Sequence, residues 1–515
     1  MLQGTLSAGA MRELPLRCAP HHRVNTLQHD LVGVRHVETA NAWAIVVYEK
    51  TAPVERELDT IDDAHALFEQ SDGEVVLLEV QHNEYGFKLR CAANGNGLVP
   101  VYFYQNGDCI GFDWDIDRLV QAIQHRAIDF QFVCRALTNP VYTHRTAFRN
   151  VQMLPVRTEL TWDGDCLQLV SLEAEEPAVD IEGDAATFLL SEVSAHLRKR
   201  FHPNLKFGAE LSGGMDSSFV AMMAFRAWPG AGFTLGIDIG YGIEREAQLA
   251  RRSRIVRAIG CSDYIVNIRE HMPSYRLDQN DIESRYLLAE EYEDAFDQVW
   301  KIASREGCNV ITGGYGGDEL FPALAGDPSR RDRLRRTPGA ILAQVESAFK
   351  RVLTGSAWQA VKDGFLGEVS PGLAGKSAKL VAVKRSSELL ARGFWPIFPL
   401  LDERLAAGML AATADERHEK GALQLAISTL LHGDDMFSAY EKETFEEASS
   451  RSLQMHLDKV LQSLNKSRLI DLGILRPNVL DGAALGDLSQ RNNPYWPVLT
   501  ALFAAEKFAR RNFQH

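Results

Sequence analysis

Between Asn41 and Val170 apolar and polar residues alternate in short runs: Ala42–Tyr48, Glu74–Val80, Tyr85–Cys91, Val99–Tyr104, Cys109–Trp114 and Thr158–Trp162. A period of two puts successive side chains on opposite faces of an extended backbone, so each run reads as a strand. Asn-Gly at 94–95 and 106–107 and Asp-Gly at 163–164 supply the left-handed residues that tight hairpins need. This part of the chain is expected to be β-rich and antiparallel, with a brief helical period near Ile116–Ile123. The stretch Glu173–Asp184, EAEEPAVDIEGD, is acidic, carries Pro and Gly, and reads as a linker.

Beyond the linker the period changes. Ala185–Lys199 reads as a helix, Lys206–Leu211 as a strand, Ser217–Ala227 as a helix and Gly232–Ile237 as a strand. Glu244–Ile259 is then a helix, Tyr264–Ile268 a strand, Leu287–Arg305 a helix and Cys308–Thr312 a strand. Strands alternating with helices imply a parallel, doubly wound α/β sheet, whose ligands bind at the carboxyl ends of the strands. From about Ala340 the pattern is mainly helical.

Length agrees with this division. A chain of 515 residues exceeds the ~250–300 at which single cores stop growing. We therefore expect two domains, residues 1–175 and residues 183–515. A net charge of −14 and a pI near 5.6 argue against general affinity for nucleic acid or anionic membranes. No stretch approaches the ~20 apolar residues of a membrane span, and the N-terminus lacks the pattern of a secretion signal. The cysteines, at 18, 91, 109, 134, 166, 261 and 308, form no CxxC pair, so neither zinc nor a disulfide framework is indicated. His21, His22 and the other histidines show no metal spacing. The cytoplasm is the simplest compartment.

The chemistry gathers at two loops. In FGAELSGGMDSSFVAMMAF the run Ser212, Gly213, Gly214 lies between a strand and a helix. Glycines there let the backbone approach an oxyanion, and the helix start adds its positive dipole end. Ser212, Ser217 and Ser218 offer hydroxyl donors, and Asp216 is a hard oxygen ligand suited to Mg2+. GxxxxGK[ST] is absent, so this is not a Walker loop. The second loop, NVITGGYGGDELF at 309–321, repeats the arrangement: Gly314 opens the backbone and Asp318 supplies a second carboxylate. Two carboxylates at neighbouring strand ends could hold Mg2+ against the phosphates of ATP.

SGGxDSS resembles the loop of the pyrophosphatase-type ATP enzymes, which cleave ATP between its α- and β-phosphates. Together with GGDE at 316–319 (as Gly316, Gly317, Asp318, Glu319), REA at 245–247, FPLLDERL at 398–405 and EKETFEE at 441–447, it resembles the asparagine synthetase superfamily. NGLVPVYFYQNGDCIGFDWDIDRLV and MLPVRTELTW are similar to that family's glutaminase domain, so the N-terminal half is expected to be an Ntn-hydrolase-like β-sandwich. The resemblance implies ATP and Mg2+ as cofactors and Lys442 as a catalytic cation, and the adenine is expected across the switch point of the sheet, near Leu235 and Gly236 at the end of the second strand. Glutamine-dependent members use a cysteine at the first position after Met removal. Here Leu2 stands there, which implies that the amine comes with the substrate.

Three branches of the superfamily meet that condition: lasso-peptide cyclases, β-lactam or carbapenam synthetases, and ligases of other small amines. The tail SLNKSRLIDLGILRPNVLDGAALGDLSQRNNPYWPVLTALFAAEKFARR resembles that of lasso cyclases. Tyr315, three residues before Asp318, is instead similar to a catalytic tyrosine of the β-lactam branch, with Glu346 as its candidate partner. The lasso-type reading is preferred, and it implies a peptide substrate and a leader-processing protease as partner. The alternatives are a small amino-carboxylate substrate, a tRNA- or sulfur-modifying ATPase, and a nucleotide-binding scaffold without catalysis. The basic run Arg330–Arg336 reads as a surface segment, or as a contact for pyrophosphate or peptide.

Overall fold

The computed structural model describes residues 1–8, 24–51, 58–84, 86–123, 126–138, 142–172, 179, 181, 183–242, 244–277, 287, 292–321, 339–363, 372–373, 375–437, 445–480, 485 and 493–513. In the N-terminal half, β1 (Leu2–Ser7), β2 (Val24–Thr26), β3 (Val32–Glu38), β4 (Ala42–Glu49), β5 (Val75–Asn83) and β6 (Gly86–Asn94) come first. β7 (Val101–Asn106), β8 (Cys109–Asp113), β9 (Val151–Leu154), β10 (Thr158–Trp162) and β11 (Leu167–Ser171) follow. They form two antiparallel sheets, in the orders β2-β1-β8-β7-β9 and β11-β10-β6-β5-β4-β3. The facing surfaces share one core, with Leu78, Leu89 and Cys91 from one sheet and Phe103, Ile110 and Phe112 from the other.

β4 is buried along its whole length, although an ordinary half-buried strand alternates. Helix α1 (Ile61–Gln70) explains this, because its Ala64, Leu67 and Phe68 cover the far face of β4 and β5. Two of the three expected glycine hairpins are present; at the third, Gly95 has φ 109° but the chain passes from β6 in one sheet to β7 in the other, so no hairpin forms there. Asn106 pairs with Cys109 across a hairpin in which Gly107 has φ 58°, and Trp162 pairs with Leu167 around Gly164 at φ 103°. The helical period expected near Ile116 forms a short helix, Ile116–Gln121, and the helix after it, α2 (Phe130–Thr138), leaves the sandwich. Its Val133, Cys134 and Leu137 enter a separate core formed largely by C-terminal helices.

The C-terminal half alternates as expected: α3 (Ala185–Arg198), β12 (Phe207–Glu210), α4 (Met215–Ala227), β13 (Gly232–Asp238), α5 (Glu244–Ile259), β14 (Asp263–Asn267), α6 (Glu293–Arg305) and β15 (Val310–Thr312). After α7 (Gly339–Val352) and α8 (Lys376–Ala391), the chain adds one further strand, β16 (Trp395–Ile397). The sheet is wholly parallel, in the order β14-β13-β12-β15-β16. Pro396 lacks a backbone N–H and sits in an edge strand, where one side needs no donor. Helices α9 (Glu403–Ala411), α10 (Gly421–Leu430), α11 (Glu446–Asn465) and α12 (Tyr495–Asn512) follow, with shorter helices at Gly355–Lys362, Ala414–Arg417 and Arg468–Asp471. The strand order reverses between β12 and β15, and that is where a doubly wound sheet opens a crevice.

A buried ionic knot ties the two halves together. Arg200 Nε and Nη2 donate to the Glu49 carboxylate at 2.9 and 3.0 Å, and the Trp395 indole N–H donates to Glu49 at 2.9 Å. Burial alone would raise the Glu49 carboxyl, but Arg200 and Trp395 hold it below its usual value. Nearby, His29 Nε2 lies 2.9 Å from the Asn309 carbonyl oxygen.

The FPLLD segment serves the fold. Phe398, Leu400 and Leu401 are buried, while Asp402 Oδ1 caps α9 by accepting the N–H groups of Arg404 and Leu405. Its Oδ2 lies 3.2 Å from His196 Nδ1. Burial opposes ionisation of Asp402, yet His196 and the Leu405 amide bring its carboxyl down to about 2. Burial and Arg200 lower His196 as well, so at neutral pH the imidazole is a neutral donor and the gain is that of a hydrogen bond. A depressed carboxylate stabilises the fold above its unfolded value and loses that contribution as pH falls through its folded one. Between pH 5 and about pH 2, native protein should lose about 1 kcal/mol more stability than Asp402→Asn, which keeps the cap. Parallel urea-unfolding curves across that range would contradict it.

Candidate active site

Both glycine loops leave the sheet at the crevice, one after β12 and one after β15. Helix α4 begins at Met215 with Gly214 as its N-cap and no side-chain cap. Its first amides are therefore left for an outside acceptor. Gly213 has φ 92°, and a Cβ there would fall 2.8 Å from the Gln248 carbonyl oxygen. Helix α5 grips the loop from behind. Gln248 Nε2 donates to the Ser212 carbonyl at 2.8 Å, and Arg251 Nε donates to that of Gly213 at 3.1 Å. Within the loop, the Ser212 N–H donates to Ser217 Oγ at 3.1 Å and the Gly214 N–H to Ser212 Oγ at 3.2 Å, so the two hydroxyls close the turn on itself.

The three serines do not share one role. Ser212 is exposed, and its Oγ lies 2.9 Å from that of Ser217, so both remain near the open side. Ser218, expected as a further phosphate donor, is fully buried and donates to the Gly214 carbonyl at 2.6 Å. It sits on the inward face of α4 and fixes the turn.

The second loop lies directly against the first. A Cβ on Gly314 would be 2.6 Å from the Ser217 nitrogen, and one on Gly317 would be 2.3 Å from Asp216 Cγ. Only glycine permits that approach. Asp216 and Asp318 are thereby brought to a common point, as the sequence suggested. The group standing there is the ammonium of Lys420, 2.7 and 2.6 Å from the Asp216 oxygens and 2.9 Å from Asp318 Oδ1. Lys420 enters between a short helix, Ala414–Arg417, and α10 with a left-handed backbone at φ 60°. That conformation costs a lysine roughly 1–2 kcal/mol, which these charge-assisted bonds offset. The side chains of Lys420 and Asp216 are 11% and 22% exposed, but that of Asp318 is 55%, so the site opens on the Asp318 side.

Oxygen donors converging within hydrogen-bond reach of one cation also fit a hard divalent ion. Asp216 and Asp318 would hold Mg2+, which would neutralise phosphate charge there. Among the described residues no cluster of three or more His, Cys, Asp or Glu side chains is placed to bind a metal, so such an ion would draw its remaining ligands from the nucleotide and water.

Tyr315 points along the same edge. Its hydroxyl donates to Glu210 Oε1 at 3.3 Å, and its ring packs on Phe398 with centroids 4.7 Å apart. Glu210 ends β12 immediately before the phosphate loop. Glu346, the expected partner of Tyr315, is exposed on α7. Leu235 and Gly236 lie within β13, one strand away from the reversal of strand order. The Leu235 carbonyl accepts the Leu211 N–H at 2.8 Å, and a Cβ on Gly236 would meet the Leu211 carbonyl oxygen at 2.4 Å. Arg245 pairs with Asp238 at the end of β13, through Nε at 2.8 Å. Lys442 and Arg330–Arg336 lie outside the described residues.

Sequence reasoning missed Lys420 and Glu210. Lys420 lies in HEKG, a charged run without a local signature, and Glu210 stands in a strand where a buried apolar residue is the ordinary expectation. The grip of α5 was more accessible, since Gln248 and Arg251 are three residues apart on one helical face.

Residues 189–438, just under half of the chain, match the family model of asparagine synthase. This segment, which holds both glycine loops and Lys420, therefore matches an asparagine-synthase domain. No curated protein matches the chain in sequence. Among solved structures, an NH3-dependent NAD synthetase from Campylobacter jejuni is 13% identical over 27% of this chain and 61% of its own, with a TM-score of 0.20. A U34-tRNA thiolase from Methanococcus maripaludis is 12% identical over 50% of this chain and 82% of its own, with a TM-score of 0.23. A glutamine-dependent NAD+ synthetase from Acinetobacter baumannii is 13% identical over 57% and 62%, with a TM-score of 0.20. The chain thus spans about three fifths of the length of these two NAD synthetases. Among the described residues no helix is long and apolar enough to cross a membrane.

Proposed function

We propose that this protein converts a peptide carboxylate to its acyl-adenylate and closes an amide bond onto an amine of the same peptide, a macrolactam closure of the lasso type. The observation that carries the adenylation step is the convergence of Asp216, Asp318 and Lys420 beside the start of α4, which has no side-chain cap. Such a cradle suits a pyrophosphate leaving group. The substrate carboxylate oxygen attacks the α-phosphorus, and the bond to pyrophosphate breaks. The amine nitrogen then attacks the acyl carbon, the bond to AMP breaks, and a proton leaves the nitrogen. In this reading Glu210, which ends β12 and accepts from the Tyr315 hydroxyl, takes that proton. Holding both ends of the peptide together supplies much of the remaining rate.

The Tyr315–Glu210 contact favours a second reading, a β-lactam-type synthetase acting on a small amino-carboxylate. Peptides carrying an N-terminal amine and an internal Asp or Glu, incubated with ATP and Mg2+, should lose one water by mass spectrometry with matched AMP release. If small β-amino acids are consumed and peptides are not, the second reading replaces the first.

Lys442, which the family resemblance makes catalytic, separates the two chemical steps. Lys442→Ala should lose about 100-fold in amide formation while ATP binding survives, because charge grows on the carbonyl oxygen only when the amine attacks. Lys442→Arg should recover part of the loss. Amide formation at the native rate in Lys442→Ala would make this lysine an ordinary surface cation.

A further inference from the structure

Away from the crevice, a cavity of about 330 Å3 lies between the β-sandwich and helix α8. Phe132 and Ala136 of α2, Phe148, Met153 and Leu380 wall it, with Phe508 of α12 behind. A dry apolar cavity of ~150 Å3 holds benzene, so this one has room for a fused or second ring. Its mouth is marked by Val381, which is 45% exposed.

Two cations line it, and they differ. Arg145 is committed to Asp129, through Nε at 2.8 Å, and to Gln131 at 2.7 Å. Lys384 is half-buried and makes no ion pair or hydrogen bond with the described residues. A half-buried cation beside an apolar recess favours a ligand that brings an anion with its hydrophobic group.

The cavity is also held open. Helix α8 is pinned to the sandwich beside it. Lys379, 1% exposed, donates to the Asn96 carbonyl at 3.0 Å and pairs with Glu403 at 3.2 Å. Residues 380–384 follow this pin directly. The next residue, Arg385, turns to the other side of the helix, where its guanidinium lies 5.7 Å from the Tyr315 ring centroid. Cavity and catalytic loop therefore flank one helix, about 10 Å across.

We propose that this cavity is an anchor pocket for the peptide substrate, taking an aromatic side chain whose neighbouring residue is Asp or Glu. The aromatic ring fills the recess and the carboxylate meets Lys384. A helix diameter corresponds to roughly three extended residues, so the anchor stands at least about that far along the peptide from the reacting group. The open mouth suits a side chain presented from a chain on the surface. The inference rests on the peptide reading above and extends it to substrate choice.

The test measures binding without ATP, so it does not depend on whether amide formation is observed. N-acetyl-Trp-Glu-amide, N-acetyl-Trp-Lys-amide, N-acetyl-Ala-Glu-amide and free decanoate are titrated into the full-length protein by ligand-observed NMR. Trp-Glu should bind at least about tenfold more tightly than either other dipeptide and should displace decanoate. Lys384→Glu, at a half-exposed position, should remove the preference for Trp-Glu over Trp-Lys with an unchanged melting temperature. Ala136→Trp, which fills the recess, should remove Trp-Glu binding. Equal affinity for Ala-Glu, an unaltered preference in Lys384→Glu, or binding of decanoate in place of the peptide would each overturn the proposal. If Trp-Glu binds as described but no peptide loses water, the pocket stands and the cyclisation reading falls.

Discussion

Asp216→Ala should lower AMP formation by about a thousandfold or more while leaving the melting temperature within a few degrees of native. Asp216 accepts from Lys420 with both oxygens and abuts the second loop at Gly317. Removing it therefore strips a charge from the point where both loops meet, and leaves the Lys420 ammonium without its closer partner. Lost phosphate and metal positioning together are worth on the order of several kcal/mol. Asp216→Asn keeps the volume and should be nearly as inactive, which would distinguish lost charge from lost packing. Asp318 is more exposed, so Asp318→Ala should follow in direction with a smaller structural cost. Turnover within tenfold of native in Asp216→Asn would remove the residue from the nucleotide site.

Lys420→Met should be the second severe variant, losing about 100- to 1,000-fold in ATP–pyrophosphate exchange. Methionine preserves most of the stem and leaves the two carboxylates facing each other without a cation. Residual activity should then require more Mg2+ than the native protein does, because a dication must supply the neutralisation that the ammonium provides. The defect should already be present in adenylation, whereas that of Lys442→Ala should appear only in amide formation. An unchanged exchange rate with slow amide formation in Lys420→Met would reverse the two assignments.

Much of the architecture was legible because periodicity records burial directly. The run Thr158–Trp162 was found to the residue, and Glu244–Ile259 likewise. β3 and β9 went unseen, since VGVRHVE and VQML alternate too briefly or too weakly to stand out beside loops. β16 was hidden for another reason. Three residues including a proline read as a break within a helical region, and only the neighbouring β15 makes them a strand.

The site divided along the same line. The convergence of Gly213, Gly214, Asp216, Gly314 and Asp318 was legible because two loops that pack this closely tolerate few residue types. Lys420 carries no such constraint on its neighbours, and its role comes from a reach of 204 residues to Asp216 and 102 to Asp318. Tyr315 shows how a local motif can mislead about partners. The spacing pointed forward to Glu346, whereas the contact runs back to Glu210 across the parallel sheet.

The knot of Glu49, Arg200 and Trp395 gives the sandwich a mechanical role. Trp395 belongs to β16, which flanks β15, and β15 delivers the loop that carries Asp318. The sandwich thus acts as a splint on the outer side of the nucleotide crevice. Removing the sandwich, and Glu49 with it, would leave a buried guanidinium and an indole N–H without their shared acceptor, next to the strand that aims the second carboxylate. Whatever chemistry the sandwich performs, it braces the synthetase half.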